Sequence, residues 1–157
     1  MRLTVYSDYS LRLLMYLAVK QAGTATIPEV AEAYGISRNH LMKVVHNLAQ
    51  AGYLATSRGR SGGMRLGKPP SAIGLGDLVR FTEPDMVIVP CFERDNHDCP
   101  LWRACRLKRA LSRATEAFLA VLDEYTLEDL TAGPEPIRAL LGLSGEGAQP
   151  DGAATGG

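Results

Sequence analysis

Apolar residues recur with a helical period near the start of the chain. One face is made of four residues spaced by i, i+3, i+6 and i+7: Leu11, Leu14, Leu17 and Ala18. This pattern predicts an amphipathic helix over residues 7–20. Ser7 and Asp8 are residue types whose side-chain oxygens accept hydrogen bonds from the free N–H groups of a helix start. We therefore expect the first helix to begin at these two residues.

Two shorter helices follow, each with its own start and stop signals. Thr26 and Glu29 have the spacing of a capping box, and Gly35 suits the end of the helix that they open. Ser37 is the predicted cap of the next helix, which ends at Gly52. The apolar face of that helix has four members: Leu41, Val44, Val45 and Leu48. Because the link between the two helices is so short, the pair is predicted to be a helix-turn-helix.

A β-hairpin is predicted directly after the helix-turn-helix. Residues 53–57 and 64–66 can form its strands, and the segment between them has turn chemistry, Arg58-Gly59-Arg60-Ser61-Gly62-Gly63. A hairpin at this place is the wing of a winged helix-turn-helix protein. Pro69 and Pro70 end the wing, and a further helix is expected at residues 75–83.

The longest apolar seam lies in the second half of the chain. Six residues repeat with spacings of 4, 3, 4, 3 and 4: Leu107, Leu111, Ala114, Phe118, Val121 and Tyr125. They predict one helix of about 22 residues with a continuous apolar stripe. Such a stripe covers either the core of its own chain or a second copy, and its length in so small a chain favours a homodimer.

These elements predict a mainly α fold with a small β-wing, a winged helix-turn-helix followed by a long dimerisation helix. Residues 1–84 are the predicted DNA-binding domain and residues 85–100 are a loop with candidate metal or cluster ligands. Residues 101–130 form the dimerisation helix. Residues 131–157 form a tail rich in Gly, Pro and Ala, which we expect to be largely disordered apart from residues 137–143.

Composition argues against a membrane protein and for a single compact domain. The chain has 157 residues, of which 46% are hydrophobic. Its best apolar run, residues 11–19, is shorter than the ~20 residues of a membrane span and contains Arg12. We therefore expect a cytoplasmic protein. The formal charge of zero hides an asymmetry, because residues 1–66 hold eight Lys and Arg against three Asp and Glu, whereas residues 67–157 hold nine against fourteen.

The basic half contains a segment without any carboxylate, from Glu32 to Asp77. We interpret this segment as a surface that faces a polyanion; the alternative is a solvated face that is basic by chance. The first residues of the second helix of a helix-turn-helix face base edges in the major groove, and a glycine-rich wing tip with arginines suits the minor groove. The candidate DNA-binding residues are Ser37, Arg38, Asn39, His40, Lys43, Arg58, Arg60, Ser61 and Gly62.

Within that set, the residue types indicate different roles. Asn39 can bond adenine and Arg38 can bond guanine in bidentate fashion, whereas Ser37 and Lys43 can reach phosphates. Glycine at position 62 permits close approach of the backbone to phosphate.

Three cysteines, Cys91, Cys99 and Cys105, are separated by seven and five residues. Neither interval is that of a zinc ribbon. Three interpretations remain: an iron-sulfur cluster whose fourth iron has an oxygen or nitrogen ligand, a zinc site with His97, or thiols that are inert or redox-active. An open iron also suits an enzyme of the hydro-lyase type. No acid-base constellation is evident, so we expect no catalytic activity.

Together these motifs resemble a known family. The opening residues 6–12, the helix entry at residues 37–41, the wing tip at residues 58–63 and the cysteine loop are similar, in this order, to the NsrR group of bacterial iron-sulfur winged-helix regulators. The same superfamily contains IscR and RirA, and the likeness covers about residues 1–130. The resemblance implies a homodimer with a [4Fe-4S] cluster on the three cysteines. It also implies repression of nitric-oxide detoxification genes at an A·T-rich inverted repeat, with release of the double-stranded DNA when nitric oxide attacks the cluster.

The resemblance also implies a fourth cluster ligand. In NsrR-like proteins this ligand is an aspartate near the N-terminus that the other subunit donates, and the matching residue here is Asp8. The IscR branch has instead a histidine three residues after its third cysteine, where this chain has Lys108. Two alternatives stay open: a regulator of the same superfamily that senses iron-sulfur or redox status, and a zinc-stabilised winged-helix module that binds protein.

Overall fold

The computed structural model describes residues 2–20, 24–57, 62–93, 96 and 98–143. Within these ranges the chain forms seven α-helices and a two-stranded antiparallel sheet. The elements are α1 (Val5–Val19), α2 (Ile27–Tyr34), α3 (Arg38–Gln50), β1 (Leu54–Thr56), β2 (Met64–Leu66), α4 (Leu75–Thr82), α5 (Arg106–Asp123), α6 (Leu127–Leu130) and α7 (Glu135–Leu140). The predicted fold class, mainly α with a small β-wing, is confirmed.

Helix α1 begins earlier than its predicted cap. Thr4 is the N-cap, and its hydroxyl oxygen accepts a hydrogen bond from the Ser7 N–H at 3.2 Å. The prediction that Ser7 and Asp8 open the helix was therefore wrong by one turn. Ser7 is fully buried, and its hydroxyl donates to the Thr82 hydroxyl at 2.8 Å. The Ser7 side chain thus bonds Thr82, which is distant in sequence, although its position near the helix start predicts a capping role.

More than one face of α1 is covered, because the helix contacts α3, α4, α6 and β2. Leu14 and Leu17 of the predicted apolar face are buried, whereas Leu11 and Ala18 are half-buried. Leu13, which lies off the predicted face, is fully buried. A helix packed on several sides does not show the simple periodicity of a surface helix.

The helix-turn-helix has the predicted boundaries. Thr26 and Glu29 form the capping box, with the Glu29 N–H donating to the Thr26 hydroxyl and the Thr26 N–H donating to the Glu29 carboxylate. Gly35 ends α2 in the left-handed conformation, at φ +62°. Ser37 occupies the N-cap of α3, but its side chain makes no capping hydrogen bond. The four predicted apolar residues of α3 are its buried ones.

Glu29 also joins the helix-turn-helix to α1. Its Oε1 accepts hydrogen bonds from the Tyr16 hydroxyl at 2.9 Å and from Lys20 Nζ. Partial burial raises the pKa of Glu29, but the hydrogen bonds from Lys20, the Thr26 amide and Tyr16 outweigh burial and hold that pKa below 4.5, its ordinary value. The ionised form of Glu29 therefore stabilises the folded protein.

We expect a matching pH dependence of stability. A lowered pKa contributes stability that is present above pH 4.5 and is lost as the pH falls through the folded-state value. Glu29→Gln should cost about 1 kcal/mol at pH 7, on the scale of a lost cap or a hydrogen bond to a charged group. Denaturant unfolding between pH 3 and 7 measures the effect, and the variant should lose less stability on acidification than the wild type. Identical pH profiles would contradict the role of Glu29.

The wing is an antiparallel hairpin in the predicted place. Leu54 pairs with Leu66 and Thr56 with Met64. Two backbone hydrogen bonds between Ala25 and Met64, of 2.8 and 2.9 Å, attach the hairpin to the chain just before α2. The wing is therefore fixed to the helix-turn-helix at its base.

Helix α5 is shorter than predicted, with 18 residues. It ends at Asp123, and the Tyr125 carbonyl accepts a hydrogen bond from the Leu75 N–H at 2.9 Å. Thr126 then opens α6 with a second capping box. The prediction of one uninterrupted helix through Tyr125 was wrong, because a backbone contact with the start of α4 and a new cap end it.

Helices α4 and α5 approach each other closely. A Cβ added at Gly76 would overlap the Asp123 carboxylate. Arg80 donates to both Asp123 oxygens, at 2.6 and 2.7 Å. This bidentate pairing lowers the pKa of Asp123 from its ordinary value. The two helices are thus held together by an ion pair that lies directly against Gly76, so a larger side chain at that position would have to displace the side chains of Asp123 and Arg80.

The chain after α6 returns to α1. Arg138 on α7 donates from Nε to the Val19 carbonyl at 2.6 Å, and Leu141 and Leu143 pack against the core. Residues 144–157 of the predicted tail lie outside the described residues, and the predicted domain limits stay predictions. In the part of the chain that the structure describes, no helix has the length and apolar character needed to cross a bilayer.

Candidate nucleic-acid interface and cysteine loop

The start of α3 presents a row of polar side chains to solvent. Because the buried residues of α3 occupy its inner face, the five candidates on and before its first turns are exposed: Ser37, Arg38, Asn39, His40 and Lys43. We call these five residues the reading face. The side chains of Arg38, Asn39 and Lys43 make no hydrogen bond or ion pair with the described residues. Their donors are free to bind bases or phosphates.

A groove that the sequence did not predict runs between the reading face and α1. It has a volume of about 620 Å³, and Asn39, His40 and Lys43 line it on the side of α3. Tyr6 and Tyr9 line it on the side of α1. Their spacing of three residues is the signal that predicts a shared helix face.

The wing is described only in part. Gly62 and Gly63 are half-buried next to β2. Gly63 lies so close to Thr24 that an added Cβ would overlap that side chain. The other predicted wing-tip residues, Arg58, Arg60 and Ser61, lie outside the described residues. At the base of the wing, Lys68 stands over the Tyr53 ring, with Nζ 4.6 Å from its centroid.

The three cysteines flank and occupy the loop between α4 and α5. Cys91 is half-buried in a 3-10 turn, Pro90–Phe92, and Cys99 is exposed. Cys105 is the N-cap of α5, and its Sγ accepts a hydrogen bond from the Lys108 N–H at 3.3 Å. Backbone N–H groups commonly bond the sulfurs of cluster ligands in this way. The donor set of three thiols fits iron or zinc.

The described residues do not gather these ligands into one site. No group of three His, Cys, Asp or Glu side chains within residues 2–20, 24–57, 62–93, 96 and 98–143 is close enough to hold a metal ion. His97, the candidate zinc ligand, lies outside those ranges. The structure therefore identifies thiols of suitable chemistry on one loop and leaves their assembly into a site as a prediction.

Asp8 lies in the first turn of α1, where its Oδ1 accepts a hydrogen bond from Arg12 Nε at 2.9 Å. Both side chains are a little over two-fifths exposed, at 44% for Asp8 and 43% for Arg12. The carboxylate is therefore held in place and still accessible. Its second oxygen accepts no hydrogen bond within the described chain.

Glu83 joins the cysteine loop to the same turn of α1, which the sequence analysis missed. Its Oε1 accepts hydrogen bonds from the Thr4 N–H at 2.8 Å and from the Thr4 hydroxyl at 3.1 Å, and it shares the hydroxyl proton of Ser7 with the Thr82 hydroxyl. A carboxylate at a helix N-terminus is favoured by the helix dipole. The residue that begins the loop is therefore bound to the turn that carries Asp8.

Comparison with known proteins agrees with this architecture. Residues 3–133 match the family described as "Rrf2: Iron-dependent Transcriptional regulator". The HTH-type transcriptional regulator NsrR of Bacillus subtilis is 50% identical over 142 residues, which are 90% of this chain and 97% of that protein. NsrR of Bacillus licheniformis is 47% identical over 142 residues, 90% of this chain and 99% of that protein.

Solved structures of two regulators are also similar to this chain. CymR, the global cysteine regulator of B. subtilis, is 30% identical with a TM-score of 0.67, over 84% of this chain and 97% of that chain. The IscR of T. potens is 23% identical with a TM-score of 0.68, over 88% and 91% of the two chains, and supports the fold alone. By the match over residues 3–133 and the identity to curated relatives, the chain belongs to the Rrf2 family of transcriptional regulators and, within that family, to the NsrR group.

Proposed function

We propose that this regulator is a cytoplasmic repressor that senses nitric oxide. As a homodimer with a [4Fe-4S] cluster, it binds an A·T-rich inverted repeat of double-stranded DNA and leaves it when nitric oxide attacks the cluster. The observation that carries the proposal is the presence, in one chain of the NsrR group, of an exposed reading face and a loop of three thiols that leads directly into α5. In this proposal the reading face binds DNA and the loop of three thiols holds the cluster.

The DNA-binding part of the proposal is supported by the charges and exposure of the reading face. Asn39 and Arg38 bond base edges in the major groove, and Ser37 and Lys43 bond phosphates. His40 is the fifth residue of the reading face and is also exposed. The arginines and glycines of the wing tip follow the minor groove, where A·T-rich sequence favours arginine.

The cluster part is supported by the chemistry of the ligands. Cys91, Cys99 and Cys105 would each bind one iron, and Asp8 of the partner protomer would bind the fourth. An oxygen ligand is harder than thiolate and would be displaced from that iron more easily, and a bound cluster would supply the iron that reacts with nitric oxide. Arg12 holds the Asp8 carboxylate through one oxygen and leaves the other available.

Contacts within the chain join the cysteine loop to the DNA-binding unit. At the start of the loop, Glu83 bonds the first turn of α1. The helix that follows the loop, α5, packs against α4, and its last residue, Asp123, is paired with Arg80 of α4. Because α1 packs directly against α3, a change at the loop reaches the reading face through packed elements.

Homodimer formation is supported by the outer part of the predicted seam. Leu107 and Val121 on α5 are 65% and 53% exposed in the single chain, and Tyr125, two residues beyond the end of α5, is 45% exposed. Phe118 differs, because it lies half-buried in a groove with residues 84–88. An exposed apolar stripe on a long helix is the usual site for a second copy.

The proposal is tested by anaerobic purification followed by titration with nitric oxide. Iron, sulfide and the visible spectrum are measured on the purified protein, and affinity for an operator duplex is measured by fluorescence anisotropy during the titration. We expect a brown protein that loses both its visible band and its operator affinity. Stoichiometric zinc without sulfide would favour the zinc-stabilised module. A cluster whose reaction with nitric oxide leaves DNA binding unchanged would favour a sensor of iron-sulfur or redox status.

A substitution on the reading face should change specificity more than affinity. Asn39→Ala should raise the Kd of the dimer for the operator by at least about 30-fold, since a bidentate contact to a base contributes about 1–3 kcal/mol of discrimination at each of the two half-sites, and should leave the Kd for unrelated DNA almost unchanged. Lys43→Ala is the matched control. It should weaken binding to both DNAs and reduce the salt slope of log K by about two per dimer. Equal losses on both duplexes for Asn39→Ala would exclude base readout by this residue.

A further inference from the structure

We infer that Tyr9 is a positioning residue that sets the DNA sequence preference by holding the ring of His40 at the reading face. The inference rests on the DNA-binding part of the proposed function and adds to it a residue on α1 that does not itself belong to the reading face. The two rings are in contact, with centroids 6.1 Å apart and planes tilted by 42°.

The contact joins the ring of Tyr9, which packs against the core, to the ring of His40, which is exposed. Tyr9 is half-buried and packs against the core between α1 and α3, so its ring has a defined position. His40 is exposed at the start of α3. Within the described part of the chain, the other charged or amide members of the reading face have no partner, so His40 is distinguished by this ring contact.

The surroundings of His40 make such a contact necessary for a defined ring orientation. The groove of about 620 Å³ beside α3 is lined by both rings, which leaves open space next to the imidazole. An exposed side chain with free space samples several rotamers. An aromatic pair contributes about 0.5–1.5 kcal/mol, which favours one orientation by about 2- to 12-fold.

Orientation matters because histidine reads a base through a directed bond. A ring N–H donates to an acceptor such as guanine O6 or N7 in the major groove, and this bond needs the ring plane to point at the base edge. Because Tyr9 already restricts the His40 ring in the free protein, that ring loses less rotamer freedom when the protein binds DNA. Tyr9 therefore acts on the preference at one base pair and not on general affinity for DNA.

The contribution of Tyr9 comes from its ring. Its hydroxyl makes no hydrogen bond with the described residues. Tyr9→Phe should therefore preserve the effect, and Tyr9→Leu should remove it while keeping an apolar side chain against α3.

The test is a double-mutant cycle on DNA specificity. A duplex is first enriched from a random library with the wild-type protein in its DNA-binding form, and a shuffled duplex serves as the non-specific probe. The ratio of the two Kd values is measured for wild type, Tyr9→Phe, Tyr9→Leu, His40→Ala and Tyr9→Leu/His40→Ala. We expect Tyr9→Leu to reduce the ratio by about 5- to 150-fold, because the proposed dimer has two such ring pairs that each contribute about 2- to 12-fold, Tyr9→Phe to keep the ratio, and the double variant to lose no more than His40→Ala alone.

Three outcomes overturn the inference while the proposed function stands: additive losses in the double variant, equal losses on both duplexes, or Tyr9→Phe behaving as Tyr9→Leu. Failure to enrich any duplex would instead overturn DNA binding itself. Should Tyr9→Leu not fold, the same question is answered in the free wild-type protein by nuclear Overhauser contacts between the two rings. Their absence would overturn the inference, and their presence together with a specificity loss in His40→Ala would support it.

Discussion

Cys99→Ser is expected to abolish cluster loading and, with it, the nitric-oxide-sensitive binding of the operator. Serine has nearly the same shape as cysteine, and Cys99 is exposed, so the apoprotein should keep its fold within about 0.5 kcal/mol. A neutral hydroxyl is a poor replacement for thiolate on iron. Iron and sulfide should fall to background, the visible band should disappear, and operator affinity should drop by at least about fivefold, the lower end of allosteric coupling energies of about 1–3 kcal/mol.

Two variants in the same protein define what this loss means. Asp98→Asn removes a charge from the exposed neighbour of Cys99 without removing a thiol, and it should load iron as the wild type does. Asp8→Ala should keep the three thiolates and therefore a cluster, but with an altered spectrum and altered kinetics of the nitric oxide reaction. Full iron content in Cys99→Ser would exclude Cys99 as a ligand. A wild-type response of Asp8→Ala would assign that residue to the start of α1 alone and leave His97, Glu93 or solvent as the fourth ligand.

Val121→Glu is expected to convert the dimer into a folded monomer that no longer binds the operator specifically. Val121 is 53% exposed in the single chain, so a carboxylate there is solvated in the monomer. In a two-fold dimer built on the seam the same carboxylate would be buried without a partner, at a cost of several kcal/mol. Dimer dissociation should become at least about 100-fold more favourable, and a monomer contacts only one half-site.

Sedimentation equilibrium measures the mass, and fluorescence anisotropy measures operator binding. Leu140→Glu is the matched control, because it places the same charge on a leucine that is 87% exposed on α7. The control should stay dimeric and keep its operator affinity. A dimeric Val121→Glu with wild-type stability would mean that the seam faces solvent and that another surface joins the two copies.

Local sequence signals predicted the boundaries of the helix-turn-helix because those boundaries depend on neighbouring residues. Thr26 and Glu29 bond each other, and Gly35 adopts the left-handed conformation that its residue type permits. The apolar face of α3 was predicted fully for the same reason, since a helix packed on one side shows its period in the sequence.

The predictions that were wrong or missing concern features that depend on contacts between distant parts of the chain. Ser7 does not cap α1, because its hydroxyl bonds Thr82, which lies 75 positions later. Helix α5 ends before Tyr125, because the backbone there pairs with the start of α4. The contacts of Glu83 with Thr4 and of Tyr9 with His40 likewise depend on how helices pack and have no signal in sequence spacing.

The candidate site likewise has one part that the sequence predicts and one part that it does not. Residue type and position on one helix suffice to name the reading face, and residue type alone names the three thiols. In the proposed function these thiols gather around a metal cluster with a ligand from a second protomer, and local sequence signals specify neither the cluster nor the second protomer.

The close contact of α4 and α5 at Gly76 has a consequence for how this protein tolerates insertions. The two ends of the cysteine loop, at Glu83 and Cys105, cap helices α4 and α5, which pack against each other and are paired through Arg80 and Asp123. The distance between the loop ends is therefore set by the helices and not by the length of the loop. Closing a loop that is one or two residues longer costs under about 0.1 kcal/mol when the ends are fixed. Lengthening the interval between the first two cysteines, here seven residues, should therefore leave the rest of the fold undisturbed.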